Sequence, residues 1–598
     1  MKITRKAAIA GIAVLALLVP TLVISQRQQS SQPRTTVVMD DPAAEQQLNR
    51  ELWEWVKKTP YENALAYVRA AQIARADETA FVQLPTGWTI GPVGTQVKIG
   101  TLPFEAVNYA GYTVVLNTGY ATGPQTISVV DTATGQVNRT LEVETLFASA
   151  RVGLDEDLYV SGGFSQQVYR YNNQFAPVRT YTLPGHTTGI ATVDATHLAV
   201  SYFTGPEAAG LLRPGKLALL NTETGAIEQQ VSLSALEPYA VEYTDDKFYI
   251  TIPGGNRVLV LDRALKLRKS LTVGETPQTL CQDGPLLYVV NSNSDSLSVI
   301  DTATDTVVNT LPVRYKNFTR GSALTSCTVS GSNIYVTQAN ANAIAVLDKE
   351  RGEVTGLIPT GWYPTKVLTQ ADNLLFLSAK GIEPRRPNPQ GPDGEQYVLN
   401  LLIGNLGVLP QSTISTNLAA WTEQVLGGSP LFEPSQGATP PIRHVFYIVK
   451  ENRTYDQVLG DLGKGNGDPT LTLFGREVTP AHHALADQFV TLDNFFVDGE
   501  VSTTGHSITA SAYASPYLQF ITSLEYSDRF AGSASVDPTA FSSTYLWDSL
   551  KAKSASYRIY GELVYFSSLY KLIVENFGAD STLAHKFKYL STKGEKLS

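Results

Sequence analysis

The chain has 598 residues, a formal net charge of −9 and 43% hydrophobic residues. A domain typically takes about 100–200 residues, so the length suggests several domain-sized units. The acidic balance argues against a nucleic-acid-binding protein, because such a protein needs a basic excess to neutralise phosphates. The hydrophobic content argues against general disorder. With only two cysteines, Cys281 and Cys327, a disulfide-dense scaffold and a four-cysteine zinc site are excluded.

The N-terminus is typical of an export signal. Lys2, Arg5 and Lys6 precede an apolar stretch over residues 7–25, and a polar segment follows it. This layout predicts a secretory signal peptide of residues 1–25 that is cleaved after Ser25. An uncleaved membrane anchor remains open, because the apolar stretch approaches the roughly 20 residues that span a bilayer. Either outcome predicts export of the remaining chain to the periplasm, the cell envelope or the extracellular medium.

Residues 42–81 are predicted to form a helical preface. Two segments rich in Ala, Leu, Glu, Gln and Arg, residues 45–58 and 62–75, are separated by Pro60. We interpret them as a pair of packing helices, with docking of a partner as the alternative.

A hairpin pattern recurs through the middle of the chain. Two or three aliphatic residues of a predicted strand are followed by Asp or Asn, a turn and a second strand. The Asp or Asn positions are Asp131, Asn172, Asn221, Asp262, Asp301 and Asp348. They recur every 39–49 residues, close to the roughly 40–45 residues of a four-stranded propeller blade. Asp, Asn and Gly in these turns suit tight hairpins. A disulfide between Cys281 and Cys327 would join adjacent repeats, although the sequence leaves that pairing open.

The repeat resembles the YVTN repeat of bacterial YncE-like propellers, most clearly over residues 286–313 (LLYVVNSNSDSLSVIDTATDTVVNTLPV). The resemblance implies an all-β, seven-bladed propeller over residues 85–415. Six repeats are visible, and residues 360–409 are the expected seventh. Residues 87–102 are expected to supply the strand that closes the ring, which would leave few exposed sheet edges. We interpret the propeller as a rigid scaffold or binding face.

The last third of the chain is where we expect the chemistry. After a linker over residues 416–440, the apolar segment Ile442–Val449 predicts a buried strand of an α/β sheet. The polar run from Lys450 to Asp456 follows directly. Side chains at the carboxyl end of such a strand are well placed for metal binding or catalysis.

Residues 444–461 (HVFYIVKENRTYDQVLGD) resemble the opening strand of the phosphoesterase family of the alkaline-phosphatase-like superfamily, which includes bacterial phospholipase C and acid phosphatase relatives. Residues 479–507 resemble the version found in chains that join a YncE-like propeller to such a domain. The resemblance implies a partial α/β alkaline-phosphatase-like domain over residues 441–598. It also implies a hydrolase that acts on phosphoester bonds.

The same resemblance implies a metal site. Glu451 and Asn452 would be ligands of a divalent metal ion, whose hard oxygen ligands at a strand end would hold a phosphate oxygen. Asp493 and Asn494 would support this group of residues. Without the resemblance, residues 452–454 could equally be a turn between a strand and a helix.

A nucleophile is implied at a helix N-terminus, where backbone amides favour phosphate. Ser502 is the expected nucleophile, with Thr503 and Thr504 as rivals. His506 would be a phosphate contact or a base. On the residues alone, without the resemblance, Ser502 and Thr503 are better interpreted as helix caps.

Superfamily members bring further Asp and His ligands from downstream, whereas this chain has only His585 after His506. The resemblance therefore implies a shortened, catalytically incomplete domain. Two functions remain open: an exported metal-dependent phosphoesterase acting on a phosphoester substrate, and a non-catalytic protein that binds an envelope or extracellular ligand through the propeller face. The identities of substrate and metal and the oligomeric state stay open. Membrane contact is expected only through the N-terminal anchor.

Overall fold

The computed structural model describes residues 81–84, 87–119, 125–204, 214–316, 321–382, 401–429, 442–495, 497, 499–525 and 545–560. The chain divides into two compact units, residues 1–82 and 83–598. The second contains nearly all the described residues. The predicted signal peptide, nearly all of the helical preface, and His585 lie outside them.

Seven four-stranded antiparallel sheets form the blades of a β-propeller. Three short strands precede them: β1 (Val82–Gln83), β2 (Thr89–Ile90) and β3 (Thr95–Lys98). Blade 1 consists of β4 (Pro103–Tyr109), β5 (Tyr112–Asn117), β6 (Gln125–Asp131) and β7 (Gln136–Val143). Blade 2 consists of β8 (Ala150–Val152), β9 (Leu158–Ser161), β10 (Gln167–Tyr171) and β11 (Pro177–Thr182). Blade 3 consists of β12 (His186–Asp194), β13 (His197–Phe203), β14 (Pro214–Asn221) and β15 (Ile227–Leu236).

The other blades follow the same order. Blade 4 consists of β16 (Val241–Thr244), β17 (Lys247–Ile252), β18 (Arg257–Asp262) and β19 (Leu267–Thr272). Blade 5 consists of β20 (Pro277–Asp283), β21 (Leu286–Asn291), β22 (Ser296–Asp301) and β23 (Thr306–Pro312). Blade 6 consists of β24 (Leu324–Ser330), β25 (Asn333–Gln338), β26 (Ala343–Asp348) and β27 (Glu353–Pro359). Blade 7 consists of β28 (Trp362–Gln370), β29 (Asn373–Gly381), β30 (Asn405–Pro410) and the early strand β3.

The ring is closed by β3, which pairs antiparallel with β30 from Thr95 opposite Val408 to Lys98 opposite Asn405. One blade is thus built from both ends of the propeller sequence, as predicted. Closure in this way converts two open sheet edges into paired ones, which removes a site for edge-to-edge aggregation. The predicted seven-bladed propeller is confirmed.

The recurring Asp and Asn residues lie in the hairpin turns between the third and fourth strands. The Asp131 carboxylate accepts hydrogen bonds from the backbone N–H groups of Ala133 and Thr134 at 2.9 and 3.3 Å. The Asn221 side chain does the same with Glu223 and Thr224. These bonds fix the turn locally, so each blade folds its outer hairpin from its own sequence.

The residue types in a strand depend on whether the strand lies at the inside or the outside of its blade. The third strand β18 (RVLVLD) is buried over four consecutive residues, whereas the outer strand β19 (LRKSLT) is almost entirely exposed. Blades bury both faces of their inner strands against their neighbours, and one cluster packs Tyr249 and Val260 of blade 4 against Leu287 of blade 5. Such two-sided burial explains the continuous apolar runs.

A disulfide joins Cys281 on β20 to Cys327 on β24, with a Cα–Cα distance of 5.9 Å. The two strands belong to neighbouring blades, so the bond links adjacent repeats. The pairing that the sequence left open is therefore formed.

Helices follow the propeller: α1 (Ile414–Gly427), α2 (Tyr455–Leu459), α3 (Pro480–Gln488), α4 (Ser502–Ser511), α5 (Pro516–Glu525) and α6 (Leu546–Ala552). Single turns of 3₁₀-helix span Gly163–Ser165, Pro253–Gly255, Ala339–Ala341, Gln411–Thr413 and Pro469–Leu471. Helix α1 covers the first part of the predicted linker and packs on blade 6, where the Thr422 hydroxyl accepts from the Leu357 N–H at 2.9 Å. In the part of the chain that the structure describes, no helix could span a bilayer.

The described residues from 442 to 560 contain helices and no strand. The strand predicted over Ile442–Val449 is not formed there. These residues lack regular secondary structure and are exposed, Phe446 by 89% and Val445 by 78%. The residues around Asp493 and Asn494 also lack regular secondary structure. A buried parallel strand needs neighbouring strands on both sides, and the described residues of this region provide none.

Candidate functional site

Two of the predicted site residues meet across a gap of 55 positions in the sequence. His506 Nε2 lies 2.9 Å from Glu451 Oε2. The Tyr447 hydroxyl also donates to the Thr509 carbonyl at 3.1 Å, so a second contact holds the segment carrying Glu451 against α4. The His506 side chain is 29% exposed and that of Glu451 is 54% exposed, which leaves this pair open to solvent and to a ligand.

Helix α4 begins at Ser502, whose side chain is exposed in the first turn. His506 lies four residues further on, so both side chains project from the same face of the helix. The first turn of a helix has backbone N–H groups without intrahelical partners and carries the positive end of the dipole. An anion that contacts Ser502 would meet these groups.

The rival nucleophiles differ from Ser502 in their surroundings. Thr504 is buried, and its hydroxyl donates to the Val501 carbonyl at 2.8 Å. That bond ties the hydroxyl to the start of the helix, away from solvent. The side chain of Thr503 is not among the side chains that the structure describes.

Asp493 and Asn494 contact the glycine-rich loop over residues 463–467. The Asn466 backbone N–H donates to Asp493 Oδ2 at 2.6 Å, and the Asn466 side chain donates to Asn494 Oδ1 at 3.3 Å. These bonds brace a loop beside α2, and they offer no direct contact with Glu451 or Ser502.

Asn452 is exposed and is followed closely by α2. Thr454 caps this helix, since its hydroxyl accepts from the Gln457 N–H at 3.4 Å. Residues 452–454 thus form the turn into a helix, the alternative that the sequence left open, and this turn places Asn452 beside Glu451.

The donor set does not amount to a complete metal site. In the described ranges, no three His, Cys, Asp or Glu side chains converge in a way that could hold a metal ion. Glu451 and His506 are two such donors and Asn452 adds an amide oxygen, whereas hard divalent cations take six or more oxygen ligands. The residues present therefore do not by themselves fit a bound divalent ion.

A buried histidine lies in the same region. His483 on α3 is fully buried, and its Nε2 atom lies 2.7 Å from Asp461 Oδ1. The Arg476 backbone N–H and then the His483 ring hold the pKa of Asp461 below its ordinary value. His483 is therefore a packing residue that ties α3 to the segment after α2.

The start of α4 is fixed to the propeller by a contact that the sequence did not indicate. Lys380 Nζ on β29 lies 2.5 Å from Glu500 Oε1, and the two side chains are only 6% and 13% exposed. The ammonium group also lies 4.8 Å from the ring centroid of Tyr363. A buried charge is stable only with a partner, so the pair holds the residues just before Ser502 against blade 7.

Helix α5 also packs on the propeller. Pro516 begins this helix, at a position where the missing N–H is not needed. Tyr517 and Phe520 are fully buried in a cluster with propeller residues. The spacing of these aromatic residues is the signal by which the sequence could have revealed this contact.

Comparisons with known proteins are limited to the fold. No protein-family profile matches the chain, and no curated protein matches it. Among solved structures, the chain is similar to a streptogramin B lyase with 14% identity, a TM-score of 0.39, and coverage of 53% of this chain and 97% of the other. It is similar to virginiamycin B lyase from Staphylococcus aureus, with 13% identity, a TM-score of 0.39, and coverage of 53% and 99%. It is also similar to BamB from Moraxella catarrhalis, with 13% identity, a TM-score of 0.35, and coverage of 56% of this chain and 97% of the other. Similarity at this level supports no statement about function.

Proposed function

We propose that this chain is an exported phosphoesterase in which the propeller is the scaffold and Ser502 is the nucleophile. The observation that carries the proposal is the contact between Glu451 and His506. It brings together two segments that each resemble the phosphoesterase family. His506 lies four residues after Ser502, whose side chain is exposed in the first turn of a helix, the local environment that favours a phosphate group.

The proposed reaction has two steps. Ser502 Oγ attacks phosphorus and the ester oxygen leaves, taking up a proton; water then displaces the serine and releases phosphate. His506 is the proposed acceptor of the Ser502 proton, because it lies one helical turn away. Glu451 would orient the ring through its hydrogen bond and stabilise the protonated form.

A divalent metal ion belongs to the proposal, with Glu451 and Asn452 as ligands. Such an ion would neutralise charge on the phosphate oxygens. Since the donors described are too few for a complete site, no step of the reaction is assigned to the ion. Export is part of the same proposal and is supported by the disulfide, because disulfides persist mainly in oxidising compartments.

A non-catalytic binding function is the second candidate. It is favoured by the incomplete donor set and by an aromatic-lined propeller face that could recognise an envelope ligand. In the present conformation that face is covered by α5 and the residues before it, so an external ligand would have to displace them.

Hydrolysis of p-nitrophenyl phosphate tests the first candidate. The assay compares the wild type with Ser502→Ala, each with added Mg²⁺, Mn²⁺, Zn²⁺ or Ca²⁺ and with a chelator. We expect Ser502→Ala to lower kcat/KM at least about a thousand-fold, as loss of a nucleophile does in hydrolases. Ser549→Ala, which removes an exposed serine on α6, is the matched control and should retain full activity. Equal turnover in wild type and Ser502→Ala, or no metal-dependent turnover in the wild type, would reject the proposal.

A further inference from the structure

We propose that the propeller face lined by Phe104, Phe147 and Tyr239 is a binding site for an aromatic helical segment, and that the chain fills it with its own residues 513–520. The partner that fits this face is a protein helix with Tyr and Phe three residues apart. This proposal is independent of the hydrolytic function, since it concerns what the propeller recognises.

The deepest anchor is Phe520, which is fully buried. Its ring centroid lies 5.0 Å from that of Phe104 and 4.9 Å from that of Phe147, in the second case with the planes nearly perpendicular. Edge-to-face geometry at this distance is favourable beyond the area that the rings bury. Phe104 begins blade 1 and Phe147 precedes blade 2, so the pocket is formed where neighbouring inner strands enter the ring.

The second anchor is Tyr517, of which 1% is exposed. Its ring packs against Tyr239 at 5.7 Å between centroids, and its hydroxyl donates to Glu237 Oε2 at 2.7 Å. An apolar ring combined with a hydrogen bond to a buried carboxylate selects tyrosine over phenylalanine at this position. Tyr513 adds a polar contact, since its hydroxyl donates to the Ser292 carbonyl at 3.4 Å.

The two halves of this contact have the character of a ligand and a receptor. The ligand half is one continuous segment, in which Tyr517 and Phe520 lie three residues apart on one face of α5. The receptor half comes from several blades whose sheets close through β3. The other apolar clusters of the described propeller contain no residue beyond 429. The apolar packing of these seven clusters therefore involves no part of residues 513–520.

Covalent attachment makes the chain's own segment a strong competitor. A tethered ligand acts at an effective concentration that reaches the millimolar range for a short flexible connection. A free segment of the same sequence must exceed this concentration to enter the wild-type face. Weakening the tethered copy should therefore open the site to a free one.

Binding of a labelled peptide with the sequence of residues 511–525, followed by fluorescence anisotropy, tests the proposal on the full-length chain. We expect the peptide to bind the Tyr517→Ala/Phe520→Ala variant at least about thirty-fold more tightly than the wild type, because buried aromatic anchors of this kind dominate binding. A peptide that carries the same two substitutions should bind the variant at least about thirty-fold more weakly. Phe489→Ala/Phe495→Ala, which removes two exposed aromatic rings, is the matched control and should behave as the wild type.

Tyr517→Phe provides a second variant in case the double substitution prevents folding. This substitution removes only the hydroxyl that contacts Glu237. The Tyr517→Phe variant should therefore bind the peptide more tightly than the wild type does. If the double variant folds, it should bind the peptide more tightly still. Equal affinity for wild type and for whichever of these variants folds would overturn the proposal. No binding to any variant whose propeller still unfolds cooperatively would overturn it as well.

Discussion

Apolar segments are buried in the propeller, whereas similar segments are exposed in the region after it. In the propeller, strand residues such as Phe376 and Leu375 on β29 are completely buried between blades. In the region from residue 442 onwards, Phe446 and Val490 are almost completely exposed. Each blade packs its apolar side chains against the blade formed by the next repeat. An apolar segment outside the repeats, such as residues 442–449, would need partner strands from another part of the chain. The difference shows that an apolar strand pattern specifies burial only when the partner strands are also supplied.

The largest expected effect is on stability and contrasts the two regions directly. Phe376→Ala should lower the free energy of unfolding of the propeller by about 3–5 kcal/mol, because it leaves a cavity between blades 6 and 7. Phe446→Ala removes a ring that is 89% exposed and should change it by less than about 0.5 kcal/mol. Urea unfolding followed by circular dichroism in the β region measures both values.

The comparison fails if the two substitutions have similar effects. A cost of several kcal/mol for Phe446→Ala would mean that residues 442–449 are packed in solution. A small cost for Phe376→Ala would mean that the blades do not share the tight inter-blade packing described here.

The propeller could be predicted closely from the sequence because its signals are local and repeated. Asp131 and Asn221 occupy equivalent hairpin turns, and each accepts backbone hydrogen bonds within its own turn. A pattern that recurs every 39–49 residues identified six of the blades, and the resemblance to the YVTN repeat implied the seventh. Ring closure by β3 followed because a circular sheet array has to pair its first and last strands.

The candidate site could be predicted only in part because its contacts are distant in sequence. The motifs indicated Glu451 and His506 separately, and the structure brings the two together. The pairing of Lys380 with Glu500 joins residues 120 positions apart, and no local pattern reports such a contact. Asp493 and Asn494 were expected to support the metal ligands, but their contacts are with Asn466.

A second prediction, of intermediate size, concerns the bond between blades 5 and 6. Replacing both cysteines with serine should lower the free energy of unfolding by about 2–4 kcal/mol, because the unfolded chain loses a cross-link. A reducing agent should destabilise the wild type similarly and leave the double variant unchanged. Unfolding of the two proteins with and without reductant measures this effect. If reductant leaves the wild type unaffected while thiol labelling shows that the cysteines have become free, the bond contributes nothing to the ring.

The smallest expected effect is a dependence of propeller stability on pH that comes from His197 at the start of β13. Its hydrogen bond with Asp194 at 2.7 Å, followed by the contact with Glu228 at 3.1 Å, raises the pKa of His197 above its ordinary value against the opposing effect of burial. A raised pKa in the folded state means that protonation stabilises the fold. This stabilisation is complete below the pKa of the unfolded state, about 6.5, and is lost as the pH rises through the folded-state pKa.

His197→Gln should therefore be less stable than the wild type at about pH 5.5, by at most about 1 kcal/mol, because solvent screens a pair near the surface. The difference should decrease as the pH rises through the folded-state pKa, and should be smaller at about pH 8.5 than at about pH 5.5. Urea unfolding of both proteins at the two pH values measures this difference, and His444→Gln, which replaces an exposed histidine outside the propeller, is the matched control. A difference that grows with pH would show that neutral His197 is the form that the propeller favours, and would reverse the sign assigned to its contacts with Asp194 and Glu228.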